Sequence, residues 1–220
     1  MKRSAFIIAL VLIIDQVVKL WVKTHMYLGQ EFHILGDWFI IHFTENYGMA
    51  FGMEFGGEKG KLLLSLFRLF FVGGLIYYVY QLTRKKYDKL YVAVLSLIIA
   101  GAIGNLIDSA FYGMIFGGSE YQLAEVFPAE GGYSSFLHGR VVDMLYFPVL
   151  EGTFPNWLPI WGGEEFIFFR PIFNVADSAI SIGVFMWIIF QKRFMSMEEE
   201  LKNEEASGKS EIPSEDTQAS

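Results

Sequence analysis

The chain of 220 residues contains no cysteine, which excludes thiol nucleophiles, disulfides and thiolate metal centres together. It has four histidines, none paired at ligand spacing, so no metal site is expected. Charge is also scarce: 19% of residues are Asp, Glu, Lys or Arg, where a soluble domain carries about 25%. Against these absences stand 53% hydrophobic and 17% aromatic residues. That balance excludes an ordinary water-soluble enzyme and a disordered body. The net charge of −7 is uneven, because Ser196–Ser220 holds eight acids and two bases, leaving a nearly neutral body. No nucleic-acid partner is expected.

Four apolar stretches are long enough to cross a bilayer, which takes about 20 residues: 5–22, 62–82, 90–112 and 171–190. Asp15 and Lys19 interrupt the first, and no small-residue cleavage site follows it, so a retained helix is expected rather than a leader. Lys2, Arg3, Arg84, Lys85, Lys86, Lys89, Lys192 and Arg193 fall on one side of a four-span topology. The longer opposite segments, 23–61 and 113–170, hold only Lys23, Lys59, Lys61, Arg140 and Arg170. The asymmetry places both termini in the cytoplasm and the two long loops outside. The expected organisation is a membrane domain over 1–195 and an acidic, disordered cytoplasmic tail over 196–220.

The outer loops are rich in structure-forming residues. His33–Phe55 is aromatic and β-branched, with turn signals at Gly36-Asp37 and Asn46-Tyr47-Gly48, and reads as short strands. Gly139–Pro148 is a second extended apolar run. Trp38, Phe39, Trp157 and Trp161 suit the membrane interface.

Ionisable residues inside a span cost about 2.5–3.5 kcal/mol on insertion scales and mark function by default. Asp15 and Lys19 lie four apart on one helical face and can pair. Arg68 lies in the second span, Asn105 and Asp108 late in the third, and Asn174 and Asp177 early in the fourth. With the topology above, Lys19, Asn105, Asp108 and Asp177 reach one level near the outer ends, and Asp143 lies in the outer run Val141–Leu145. At about 1.5 Å per residue from Pro171, Asp177 is expected roughly 9 Å deep. The Asp15–Lys19 pair reads best as a structural ion pair. Asp143 and Asp177 have no basic partner nearby in sequence. Two carboxylates there suit aspartic-protease chemistry, in which the pair shares a proton and activates water.

Five ordered motifs then carry a resemblance. They are Asp15-Gln16-Val17-Val18-Lys19, Asn46-Tyr47-Gly48-Met49-Ala50-Phe51-Gly52, Gly101-Ala102-Ile103-Gly104-Asn105-Leu106-Ile107-Asp108, Val141-Val142-Asp143 and Phe173-Asn174-Val175-Ala176-Asp177. In this order and topology the chain resembles the bacterial lipoprotein signal peptidases, or signal peptidase II. The resemblance implies a membrane α-helical fold: four transmembrane helices, a small periplasmic β-cradle and a lid or half-helix over the active site. It implies removal of the signal peptide from diacylglyceryl-modified prolipoproteins, on the amino side of the lipidated cysteine. The implied catalytic dyad is Asp143 and Asp177. Asn46, Asn105, Asn174, Gly48 and Arg140 would bind substrate or inhibitor or orient the dyad, with Gly48 in a turn. Asp15, Lys19 and Asp108 would hold the architecture. Also implied are a monomer in the bacterial inner membrane, no cofactor or metal, contact with membrane lipid, and inhibition by globomycin-type antibiotics.

Departures from the family pattern are informative. The third motif usually continues with Arg after its aspartate, and here Ser109 stands there. Arg140 or Arg68 is expected to supply that charge. Tyr47 stands where a smaller residue or proline is common, and the segments 111–138 and 150–170 exceed the family minimum. Gly101 and Gly104 read first as helix-packing positions. Two other classes use the same buried polar residues. A proton-coupled transporter would spread them across the bilayer and show inverted repeats. A non-enzymatic scaffold would tolerate loss of both carboxylates.

Overall fold

The computed structural model describes residues 1–47, 57–85, 87–168 and 170–210. Four long helices carry the body: α1 (Lys2–His25), α2 (Gly57–Arg84), α3 (Lys89–Ile107) and α5 (Val175–Ser210). Each contains a stretch long and apolar enough to cross a membrane: Lys2–His25, Lys59–Arg84, Lys89–Ile115 and Val175–Met197. The third stretch includes a π-helical turn (Asp108–Tyr112) and a single closing turn, α4 (Gly113–Ile115).

The helices are apolar outside and polar inside. On α1, Phe6, Leu10, Ile13, Ile14, Val17 and Leu20 are exposed, while Asp15, Lys19 and Lys23 are fully buried. Those three recur every four residues, so they share one face. A helix with this pattern is stable only where the outer face meets hydrocarbon and the inner face finds polar partners. Helix α3 is the hub: half of its spanning stretch is buried, against 17% for each of the others.

Close packing between α3 and α5 depends on the glycines. A Cβ at Gly101 would lie 2.2 Å from the Ala176 carbonyl oxygen, and one at Gly104 would lie 2.7 Å from an Asp15 carboxylate oxygen. The packing role expected of both residues therefore has a specific content. Gly101 lets the α5 backbone approach, and Gly104 makes room for a charged group from α1.

Above the helix ends sits a three-stranded antiparallel sheet in the order β1 (Glu31–Leu35), β2 (Phe39–Asn46), β3 (Val141–Tyr146). Gly36 turns the β1–β2 hairpin with a φ of 54°, a value that glycine adopts without steric cost. Val141, Val142, Asp143 and Met144 are all buried, which explains why β3 reads as a continuous apolar run rather than an alternating one. A separate hairpin, β4 (Leu150–Thr153) with β5 (Glu165–Phe168), leads to the last helix. Its tip exposes Trp157, Ile160 and Trp161.

The structure corrects two boundaries. The fourth helix begins at Val175, not at Pro171. Residue 173 instead pairs with β3, where Leu145 N–H donates to the Phe173 carbonyl at 2.7 Å and Phe173 N–H donates back at 3.1 Å. Asp177 therefore sits in the first helical turn rather than six residues down a span. The same helix continues through Ser210, where disorder was expected from residue 196. Met197–Ala206 is composed almost wholly of strong helix formers, so a helix already running does not stop there. Residues 211–220 lie outside the described residues, as do Gly48 and the rest of the second motif. Among the described residues no separate lid helix stands over the site.

Candidate active site

The site is a hydrogen-bonded chain that starts at one cation. Lys19 Nζ, fully buried, lies 2.9 Å from Asp15 Oδ2 and 2.8 Å from Asp108 Oδ2. Its remaining hydrogen bond is to Asn105 Oδ1 at 3.0 Å. An ammonium group can only donate, so it fixes the Asn105 amide with its oxygen toward α1. The amide nitrogen must then point the other way, and it donates to Asp177 Oδ1 at 2.7 Å.

The second asparagine repeats this logic. Asn105 Oδ1 also accepts from Asn174 Nδ2 at 3.1 Å, which fixes the Asn174 amide in turn. That nitrogen donates on to Asp143 Oδ1 at 2.7 Å. The freed Asn174 oxygen accepts the Asp177 N–H at 2.8 Å, while the Asn174 N–H meets Asp177 Oδ2 at 3.4 Å. This reciprocal pair is a capping box at the start of α5. The spacing Asn174-x-x-Asp177 thus does two things: it starts the helix, and it holds a carboxylate at the positive end of the helix dipole. Asn46 Nδ2, at the end of β2, donates to the other oxygen of Asp143.

Asp15 and Asp108 bind more than the lysine. Asp15 Oδ1 accepts the Ala176 N–H at 2.8 Å, so a carboxylate from α1 caps α5. Asp108 Oδ2 accepts the Val142 N–H at 3.2 Å, which ties the π-helical turn to β3 next to Asp143. Gln16 Nε2 bridges the two carboxylates at 3.1 and 3.0 Å, and its Oε1 accepts the Tyr112 hydroxyl. All eight polar residues expected at the site apart from Gly48 and Arg140 therefore belong to one network.

Asp143 and Asp177 differ in surroundings. Asp143 is 2% exposed, whereas Asp177 is only partly buried. Burial, reinforced by the neighbouring Asp177 charge, pushes the Asp143 carboxyl up to about 8, against the opposing Asn174 hydrogen bond.

Arg140 stands apart from the dyad. Its guanidinium donates to Glu120 at 2.8 Å and Glu45 at 3.4 Å, and it lies over the rings of Tyr47 and Tyr133. Glu45 also pairs with Lys23 of α1. At Ser109 the sequence reading missed the cation that arrives. Lys61, buried near the start of α2, donates to Ser109 Oγ at 3.2 Å and to the Tyr47 carbonyl at 2.9 Å. Lys61 and Arg140 line one cavity of about 170 Å³ with Tyr133, Ser134 and His138. Arg68, also in α2, is electrostatically coupled to Asp177, Asp108 and Asp143. Gln16 and Tyr112 were likewise missed, although Gln16 stands inside the first motif.

Residues 7–193 match the family model for signal peptidase (SPase) II. A lipoprotein signal peptidase of Porphyromonas gingivalis is 56% identical over 197 residues, covering 89% of this chain and 85% of that protein. Another, from Amoebophilus asiaticus, is 38% identical over 84% of this chain and 75% of that protein. A solved structure, described as a bacterial membrane enzyme determined in meso at 2.3 Å resolution, superposes with a TM-score of 0.57 at 25% identity, covering 89% of this chain and 91% of that one.

The network makes a direct prediction. Lys19→Met leaves Asp15 and Asp108 buried without their counter-ion, so thermal or denaturant unfolding in detergent should show a loss of about 3–5 kcal/mol. A variant within about 1 kcal/mol of wild type would contradict the role given to Lys19.

Proposed function

The chain belongs to the signal peptidase II family, and from that premise we propose that Asp143 and Asp177 are the catalytic pair of an aspartic endopeptidase. As a lipoprotein signal peptidase it removes signal peptides from prolipoproteins in a multi-pass membrane setting. In this reading it acts on diacylglyceryl-modified substrates and cuts on the amino side of the lipidated cysteine. The site faces the outer side of the inner membrane, with both termini cytoplasmic. The observation that carries the proposal is the Asn174 bridge, which touches both carboxylates and gives them different environments.

The roles follow from those environments. Asp143, buried and with its pKa raised, holds the proton. Asp177, capped by Asn174 at the start of a helix and donated to by Asn105, is the ionised partner. Asp177 takes a proton from water as the oxygen attacks the scissile carbonyl carbon, while Asp143 gives its proton to the carbonyl oxygen. The tetrahedral diol then collapses. Asp143 recovers a proton from a diol hydroxyl, Asp177 passes its proton to the leaving nitrogen, and the C–N bond breaks. The charges of both carboxylates return to their starting values. The polar groups gather at one level and form one connected chain, which favours this reading over a transport pathway.

Purified protein should cleave a diacylglyceryl-modified prolipoprotein peptide. Asp143→Asn and Asp177→Asn, each folded, should each lose on the order of 10²–10⁴-fold. Activity retained in either would overturn the assignment.

The pH profile supplies a second check. Asp143 must be protonated to act, so kcat/KM, which reports ionisations of the free enzyme, should fall as pH rises through about 8. A rate that is flat through that range would contradict the role of Asp143 as acid.

Lys61, rather than Arg140, supplies the positive charge beside Ser109. Lys61→Gln should lower kcat/KM by about tenfold or more, as for loss of a hydrogen bond to a charged group, with recovery in Lys61→Arg. Arg140→Gln should fall less. The reverse order would return the role to Arg140.

A further inference from the structure

The end of the helix bundle opposite the dyad carries a second cleft that the reaction does not use. Helices α1 and α2 both pack on α3, and the space between them stays open. Its deeper part is a groove of about 500 Å³ lined by Ile8, Gly73, Ile76, Tyr77, Val79 and Ile99, almost wholly apolar. It continues toward the helix ends into a second space of about 590 Å³ that includes Lys2, Arg3, Ser4, Thr83 and Lys89. Met1, Ser4 and Thr83 line both, so the two form one cleft, apolar in the membrane and basic at its mouth.

The mouth contains unmet donors. Ser4 is 7% exposed, and its hydroxyl has no hydrogen-bond partner among the described residues. A serine deeper in a helix would bond the carbonyl four residues back, which Ser96 does to Val92 at 2.7 Å. Ser4, in the first turn of α1, makes no such bond. The backbone adds to this, because Met1 gives no side-chain cap and the first turn holds no acidic residue. The N–H groups of that turn are among those a helix leaves unsatisfied, and they face outward along a positive dipole. Lys2 and Arg3 are exposed beside them.

We infer that this cleft is a binding site for one anionic phospholipid. The phosphate sits at the N-terminus of α1 against Ser4 Oγ, Lys2, Arg3 and Lys89, and one acyl chain lies along the groove past Gly73. The chemistry selects the occupant. A phosphodiester oxyanion satisfies a hydroxyl, backbone N–H groups and three cations at once. The apolar groove runs from that point along the membrane axis, as an acyl chain does. A signal-peptide helix is the competing occupant, but its leading segment is itself basic and would meet Lys2, Arg3 and Lys89. In the proposed topology this end faces the cytoplasmic leaflet, where anionic headgroups attract basic clusters.

Gly73 offers a variant that leaves the basic mouth intact. A Cβ there would meet nothing within 4 Å, so the backbone at this position is open to a side chain, and Gly73→Leu is the variant directed into the groove. The experiment is native mass spectrometry of the full chain released from detergent, with added phosphatidylglycerol or phosphatidylcholine of matched acyl chains. The expected result is one retained phosphatidylglycerol per protein in preference to phosphatidylcholine. Retention should weaken about fivefold for each of Lys2→Gln, Arg3→Gln and Lys89→Gln, and also in Ser4→Ala and Gly73→Leu. Peptidase activity in detergent and thermal stability serve as the folding controls. Equal retention of the two lipids, retention unchanged across these variants, or a prolipoprotein signal helix cross-linking to position 76 or 77 in place of lipid would each overturn the inference.

Discussion

A single buried ammonium group orders this structure. Lys19 has no access to solvent, and its three hydrogen bonds go to two carboxylates and one amide oxygen. Isolated in the membrane, such a charge is costly, and so are the two carboxylates. Together they are compensated, and α1 and α3 are thereby locked in one register. The lysine also gives direction to everything downstream. Because it can only donate, both asparagine amides turn their nitrogens toward the aspartates. Ion pair, helix packing and dyad orientation are therefore one arrangement.

The backbone is recruited into the same arrangement. Asp15 caps α5 through Ala176, Asp108 holds β3 through Val142, and Asn174 starts α5 while touching both Asp143 and Asp177. Helix start, strand placement and active-site geometry share the same atoms, so a change in one disturbs the others. The short residue at Gly104 belongs to this set, since any side chain there would meet the Asp15 carboxylate.

Much of this was legible in the sequence because membrane physics limits the alternatives. Four long apolar runs can only be spans or a core too large for 220 residues, and polar residues inside them must face one another. That reasoning found Asp15, Lys19, Asn105, Asp108, Asn174 and Asp177, and the strands around Asp143. It failed where the third dimension decides. Lys61 reads as one loop charge among several, and only the approach of α2 brings it to Ser109. Arg140 is closer in sequence to Asp143, yet two glutamates from distant segments hold it. The start of α5 was misplaced because Pro171–Asn174 is apolar enough to continue a span, whereas its backbone pairs with β3. The helix past residue 196 is hidden in the sequence because low hydrophobicity, high charge and serine mark a disordered tail as readily as a solvated helix.

In the proposed mechanism the lysine-anchored network places a proton on Asp143 beside an ionised Asp177. Infrared titration of the carboxylic-acid C=O stretch in the purified protein tests it directly. The expected result is an acid band that disappears with a midpoint of about 8, is absent in Asp143→Asn, and shifts to lower pH in Asp177→Asn as the neighbouring charge is lost. A band that persists in Asp143→Asn and vanishes in Asp177→Asn would put the proton on the other carboxylate and overturn the roles given to the pair.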